Sequence, residues 1–129
     1  MDGNPVYLGV MQEAGQDSLE ITIEEGIAVA GFRAASITDL EEISAVCERI
    51  GKFIEKNHPK RIVFDFEGVK FFSSQILGLM VDVRAKLQAY DGEVVISGID
   101  PQLHRVFKIT NLDKVFRFFP DRESAVRSS

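Results

Sequence analysis

The sequence predicts an α/β fold in which about four helices pack against a mixed sheet of about five strands. Apolar segments typical of a β-hairpin come first, and helix-like and strand-like segments then alternate to the end of the chain. Strand–helix–strand units pair in parallel, so together with the hairpin they make the sheet mixed. The composition, 45% hydrophobic and 27% charged over 129 residues, is that of one globular domain.

Residues 1–18 hold one short apolar stretch, Val6–Val10, which is a candidate for an extra edge strand. Beyond it, apolar and polar residues alternate from Leu19 to Ile23, and a turn at Glu25 and Gly26 leads into a second apolar strand. Gly31 near the end of that second strand indicates a bulge or a close approach of another group.

The first helix is predicted from Thr38 and Glu41, which have the spacing of a capping box. The apolar face that follows consists of Leu40, Ile43, Val46, Cys47, Ile50, Phe53 and Ile54. Cys47 is assigned to packing, and as the single cysteine it rules out an intramolecular disulfide and a multi-cysteine metal site. Pro59 ends the helix, because proline disfavours helical geometry in the residue before it.

Around Ser73 and Ser74 the sequence changes from strand to helix. Arg61–Phe66 is a predicted strand, Glu67–Lys70 breaks it, and two phenylalanines lead to the serines. The helix then buries positions at helical spacing: Ile76, Met80, Val83, Leu87 and Tyr90. Ser73 occupies the N-cap position, where its hydroxyl is expected to accept a backbone N–H, and Ser74 lies on the first turn.

The remaining elements alternate in the same way. Glu93–Ser97 is predicted to be a buried strand, and Asp100 with Pro101 starts a third helix that buries Leu103. A last strand is predicted from Val115 to Phe119, and a short terminal helix follows Asp121.

Ser74 is the chief candidate functional residue. The first turn of a helix has unpaired N–H groups and the positive end of the helix dipole, so it accommodates an anion. A phosphate there adds nearly two negative charges, which would change the electrostatics of the contact with a docked partner. The predicted partner-binding residues surround this point, with apolar side chains as anchors: Phe72, Ser73, Ser74, Gln75, Ile76, Leu77 and Leu79.

Catalysis is not expected. The two histidines, His58 and His104, lie in no nucleophile motif, and the sequence has no phosphate-binding loop of the Gly-x-x-x-x-Gly-Lys type. Asp65 ends a strand without further metal ligands at useful spacing, so it is interpreted as a hydrogen-bonding acid. We therefore expect no enzyme activity, no catalytic residue, no metal and no cofactor.

The bulk properties limit partners and location. A net charge of −5 argues against nucleic acid as a partner. No stretch approaches the roughly 20 apolar residues of a membrane helix, and the polar start is not that of a signal peptide. We expect a cytoplasmic protein without membrane insertion, and the sequence leaves its oligomeric state open.

Three segments carry a family resemblance: Gly68–Gly78 with the two serines, Gly92–Gly98, and Val106–Phe116 with its Thr-Asn-Leu-Asp-Lys-Val-Phe run. From about Leu19 to Val126 the chain resembles the STAS domain, the family of anti-sigma factor antagonists and of the cytoplasmic domains of sulphate transporters. The resemblance implies residues 19–126 as the STAS-like domain and Ser74 as the phosphorylated serine. It also implies an anti-sigma factor or a serine kinase of the same pathway as partner, and a role in transcription regulation.

The loop departs from the family pattern Asp-Ser-Ser-Gly at three positions. Ser73 replaces the acid, Gln75 the following serine and Ile76 the glycine. Ser73 is therefore a rival acceptor of the phosphate. An alternative function is a STAS scaffold or adaptor subunit in a larger signalling or transporter assembly, which binds through the same surface without being phosphorylated.

Overall fold

A computed structural model describes residues 19–128, and within that range the chain forms seven strands and four helices. The strands are β1 Leu19–Glu24, β2 Ile27–Phe32, β3 Ser36–Ile37, β4 Arg61–Asp65, β5 Phe71–Phe72, β6 Glu93–Ser97 and β7 Arg117–Phe119. The helices are α1 Leu40–Asn57, α2 Ser74–Gln88, α3 Pro101–Ile109 and α4 Arg122–Arg127, with a 3-10 turn at Leu112–Lys114. Val6–Val10, the candidate edge strand, lies outside the described residues.

Five of the strands form one mixed sheet in the order β1-β2-β4-β6-β7. The β1–β2 hairpin is antiparallel, and the other three pairings are parallel. The α/β fold with a five-stranded mixed sheet and four helices is therefore confirmed. The sequence did not predict β3, which pairs in parallel with β5 in a separate two-stranded sheet.

The two faces of the main sheet are covered unequally. One face packs against α1, α2 and α3 in a large core that includes Phe64, Ile96, Val46 and Met80. The opposite face buries a smaller cluster against α4, formed by Val29, Val63, Val95, Ala125 and Val126. Apolar burial on both faces explains why β4 and β6 are apolar along most of their length.

Helix α1 departs from two predictions. Asp39, not Thr38, is its N-cap, and Asp39 Oδ1 accepts the Glu41 backbone N–H at 2.9 Å. The predicted capping box is therefore wrong by one residue. Cys47 is exposed and Leu40 is 58% exposed, because the face turned to the core is set by Ile43, Val46, Ile50 and Ile54. The assignment of Cys47 to packing is wrong.

Within residues 19–128, no helix combines the length and the apolar character needed to cross a bilayer.

Candidate functional site

The serine pair follows a tight turn at the end of β4. The Val69 N–H donates to the Phe66 carbonyl at 2.9 Å, and Gly68 has a φ of +87°. A positive φ at the third position of a four-residue turn favours glycine, as a type II turn requires. The turn therefore redirects the chain from the main sheet into β5.

The small β3–β5 sheet fixes the backbone that leads to the serines. Lys70 and Phe71 both donate their N–H groups to the Ala35 carbonyl, at 2.7 and 3.1 Å. The Ser73 N–H donates to the Ile37 carbonyl at 3.0 Å. The start of α2 is thus held by hydrogen bonds to a segment more than thirty residues earlier in the chain.

Phe72 anchors the same segment from the side. Its ring lies edge-on to Phe66, with 5.7 Å between centroids, and edge-on to Phe107 of α3, with 6.1 Å. Edge-to-face aromatic pairs at these distances are favourable beyond their buried area. Phe72 is half-buried, so it serves mainly as a packing residue next to the serines.

Ser73 is the N-cap residue of α2, as predicted, but it does not make the predicted capping bond. Its hydroxyl donates instead to Gln75 Oε1 at 2.8 Å, and the residue is half-buried. No backbone N–H of α2 donates to the Ser73 hydroxyl oxygen, so the predicted capping bond is wrong.

Ser74 is the first residue of α2 and is exposed. Among residues 19–128 its hydroxyl has no hydrogen-bond partner, unlike that of Ser73. The first turn of α2 contains no acidic side chain, so no carboxylate of that turn opposes the backbone N–H groups and the helix dipole in favouring an anion there. Although the two serines are adjacent, the Ser74 hydroxyl is therefore more accessible to a modifying enzyme than the Ser73 hydroxyl.

Three of the predicted partner-binding residues are in the core. Ile76 is 0%, Leu77 8% and Leu79 5% exposed, so the prediction that their side chains contact a partner is corrected. They are buried because α2 packs against both the sheet and α1.

The exposed face of α2 was missed from the sequence. Ser74, Gly78, Val81 and Ala85 are all exposed, and their spacing of four, three and four places them on one side of the helix. We call these four residues the α2 stripe. Val81 is 41% exposed, and nothing lies within 4 Å of a Cβ built at Gly78. Helical spacing counted from Ser74 was the signal that could have predicted this exposed side of α2.

Phe71, 65% exposed, adds an apolar side chain near the serines in the sequence.

The sequence pattern of the STAS domain family matches residues 18–125. The chain belongs to the STAS domain family. Its fold is similar to an anti-sigma-factor antagonist (STAS) domain protein from Planctomyces limnophilus, with a TM-score of 0.75 and 21% identity over 85% of this chain and 94% of the other.

Two further solved structures share the fold of this STAS domain. Unphosphorylated SpoIIAA, an anti-sigma factor antagonist, has a TM-score of 0.75 and 18% identity, covering 84% of this chain and 92% of its own. The phosphorylated form of SpoIIAA from Bacillus has a TM-score of 0.67 and 18% identity, covering 84% and 96%.

The two histidines and Asp65 of this STAS domain are held by packing and hydrogen bonds. His104 packs against Phe118 with 4.5 Å between ring centroids, and His58 packs against Tyr90 with 5.2 Å. Asp65 accepts hydrogen bonds from Ser97 Oγ and from Arg122, as expected of a hydrogen-bonding acid. Over the described range, His, Cys, Asp and Glu side chains form no group of three that could hold a metal ion.

Proposed function

We propose that this STAS domain is a protein-binding regulatory module of the anti-sigma factor antagonist type, and that a partner kinase switches it by phosphorylating Ser74. The observation that carries the proposal is the Ser74 hydroxyl, exposed on the first turn of α2 and without a hydrogen-bond partner in the described part of the chain. SpoIIAA, which has the same fold, has been solved in phosphorylated and unphosphorylated forms. Such a pathway would place the protein in the cytoplasm.

The difference between the two hydroxyls supports Ser74 over Ser73 as the acceptor. To receive a phosphate, Ser73 would first have to break its hydrogen bond to Gln75 and leave a half-buried position. Ser74 has neither requirement. Its phosphate would lie beside free backbone N–H groups at the positive end of α2, where an anion is favoured.

The same phosphate would disfavour docking on the α2 stripe. It adds about −1.5 to −2 charges at neutral pH. The small or apolar residues Gly78, Val81 and Ala85 continue along the same side of the helix, where a partner could cover them closely. Docking would then have to strip water from a dianion, at a cost that apolar contacts do not offset. The fold of the domain is expected to tolerate the modification, while the complex does not.

The experiment is phosphorylation of the full chain by the kinase that co-purifies with it, followed by intact-mass and peptide-level mass spectrometry. We expect a single added phosphate on Ser74. Ser74→Ala should abolish the addition, and Ser73→Ala, the matched control one residue away, should retain it. Modification that persists in Ser74→Ala and disappears in Ser73→Ala would contradict the assignment.

The adaptor alternative is favoured by one contact, the hydrogen bond that ties Ser73 to Gln75 at two of the three positions where the loop departs from the family pattern. In an adaptor, the co-purified partner would bind, and neither serine would be modified in the presence of ATP. Binding without phosphorylation would therefore replace the switch with a constitutive docking role.

A further inference from the structure

A buried carboxylate lies at the start of the turn that leads to the serines. Asp65 is the last residue of β4 and is 7% exposed. Its Oδ1 accepts hydrogen bonds from Ser97 Oγ at 3.1 Å and from the Glu67 backbone N–H at 3.3 Å. Glu67 is the second residue of the turn formed by residues 66–69, so this carboxylate holds the turn directly.

The other oxygen of Asp65 is bound by the C-terminal helix. Arg122, the first residue of α4, donates to Asp65 Oδ2 from Nε at 3.1 Å and from Nη2 at 3.0 Å. Nη1 of Arg122 donates to Glu24 at 3.0 Å. A Cβ at Gly31 would lie 3.1 Å from Arg122 Nη2, which explains the glycine in β2 as the close approach that the sequence indicated.

Helix α4 contributes few apolar side chains to its face of the sheet, and the rest of its attachment is polar. The helix has six residues, and only Ala125 and Val126 of α4 enter the smaller core. At its other end, Arg61 donates to the Ala125 carbonyl at 3.0 Å and to the Ser128 carbonyl at 2.6 Å. Short elements with few buried apolar contacts open more readily than the core of a domain. Because α4 is short and contributes two residues to the smaller core, its docking is expected to depend on polar contacts such as that of Arg122 with Asp65.

We propose that Arg122 is a positioning residue for the serine segment: docking of α4 through Arg122 and Asp65 fixes the turn at residues 66–69, and undocking loosens the segment that carries Ser74. Loss of the arginine leaves a buried carboxylate short of a charged partner, which favours its rotation towards water. That rotation removes the acceptor of the Glu67 N–H. The claim that Arg122 regulates Ser74 rests on the proposed function. The claim that Arg122 couples α4 to the turn at residues 66–69 does not.

Site-resolved amide hydrogen exchange by NMR tests the coupling in the full chain without any partner. In Arg122→Gln, the amides of Glu67, Lys70, Phe71 and Ser73 should exchange faster by about tenfold or more, since a charge-assisted hydrogen bond is lost. Amides of α1 should change much less. Arg122→Lys keeps one charged donor and should fall between Gln and wild type.

Arg127→Gln is the matched control on the same helix. Arg127 pairs with Glu25 at 3.7 Å and with Glu123 at 3.4 Å, and all three side chains are exposed. It should leave the turn amides unchanged. Equal exchange in the Arg122 and Arg127 variants, or an acceleration in Arg122→Gln that is uniform over all amides, would overturn the proposal.

Ser97→Ala gives an independent second variant if Arg122→Gln does not fold, because it removes a donor to Asp65 Oδ1 without leaving a charge unpaired. It should also accelerate exchange at Glu67, and an unchanged Glu67 amide would overturn the proposal.

The phosphorylation rate of Ser74 by the co-purified kinase is then compared between Arg122→Gln and Arg127→Gln. Selective exchange with no phosphate on either variant would retain the coupling and reject the proposed function, whereas equal phosphorylation rates would reject the regulatory role of Arg122.

Discussion

Phe72 lies edge-on to Phe107, with 6.1 Å between the ring centroids and 76° between the ring planes. Phe72 immediately precedes Ser73, and Phe107 is a fully buried residue of α3. The position of the serines is therefore set by a tertiary aromatic contact as well as by the start of α2. Phe71, one residue earlier, points its side chain largely to solvent.

Phe72→Ala should lower the free energy of unfolding by about 2–3 kcal/mol, somewhat less than truncation of a fully buried phenylalanine, because Phe72 is half-buried. The control is Phe71→Ala, which should cost less than about 0.5 kcal/mol. Urea denaturation of both variants measures the difference. Equal costs would mean that Phe72 does not anchor the serine segment.

Gln75→Ala should free the Ser73 hydroxyl, because Gln75 Oε1 is its hydrogen-bond acceptor. We expect phosphate to appear on Ser73 as a second site in this variant, while Ser74 remains the main acceptor. Peptide-level mass spectrometry after limited phosphorylation gives the ratio of the two sites. Gln88→Ala, at the exposed C-terminal end of α2, is the control and should leave the ratio as in the wild type.

Ser74→Asp should weaken binding of the partner by more than about tenfold, or about 1.4 kcal/mol, since a charge on the α2 stripe must be desolvated in the complex. Ser44→Asp makes the same chemical change at an exposed position of α1 and should bind like the wild type. Calorimetric titration with the co-purified partner provides the two dissociation constants. An unchanged constant for Ser74→Asp would remove the α2 stripe from the interface.

The sequence predicted the elements of the fold because apolar periodicity is strong in this chain. The spacing of Ile76, Met80, Val83 and Leu87 predicted the buried side of α2, and all four are buried. The two-residue strand β3 was missed since so short a segment has no period. It exists because Ala35 and Ile37 offer carbonyl groups to the segment that precedes α2.

The errors at the site came from side-chain choices that periodicity does not determine. Leu77 and Leu79 are bulky residues near Ser74, and only the packing of α2 against both α1 and the sheet decides that they are buried. Thr38 and Asp39 are both suitable N-cap residues, and in the structure α1 begins directly after Asp39. The bond between Ser73 and Gln75 depends on a rotamer, which no spacing rule supplies.

Asp100→Asn should lower the melting temperature at neutral pH, and the difference should vanish in acid. The Asp100 carboxylate accepts the Gln102 backbone N–H at 2.9 Å and pairs with Lys70 Nζ at 3.2 Å, and these two contacts lower the pKa of Asp100. A lowered folded-state pKa stabilises the fold above the ordinary carboxyl pKa of about 3.9. That stability is lost as the pH falls through the lowered pKa.

Asparagine retains the acceptor oxygen for Gln102 and removes the charge together with the oxygen that accepts from Lys70, so melting curves of Asp100→Asn against pH measure the contribution of the ionised carboxylate and its pairing with Lys70. Asp91→Asn serves as the control, because Asp91 is exposed and its carboxylate makes no hydrogen bond or ion pair within residues 19–128. A difference between wild type and Asp100→Asn that stayed constant into acid would show that the charge of Asp100 contributes nothing.

Gly98→Ala should destabilise the domain more than Gly26→Ala, although both glycines have a positive φ, +64° and +80°. Nothing lies within 4 Å of a Cβ at Gly26, so alanine there costs only the backbone strain, about 1–2 kcal/mol. A Cβ at Gly98 would lie 3.1 Å from Glu67 Cβ, 3.2 Å from the Glu67 backbone nitrogen and 3.2 Å from Asp65 Oδ1.

Because two of those neighbours are the backbone and the buried carboxylate that hold the serine turn, crowding should add about 1–3 kcal/mol at Gly98. Urea denaturation of the two variants measures the difference in unfolding free energy, and the amide exchange of Glu67 reports whether the turn has moved. Equal stabilities would mean that the turn yields to a methyl group at no cost, and faster exchange of the Glu67 amide in Gly98→Ala would show that it does so by moving. The loop that presents Ser74 would then be softer than its hydrogen bonds indicate.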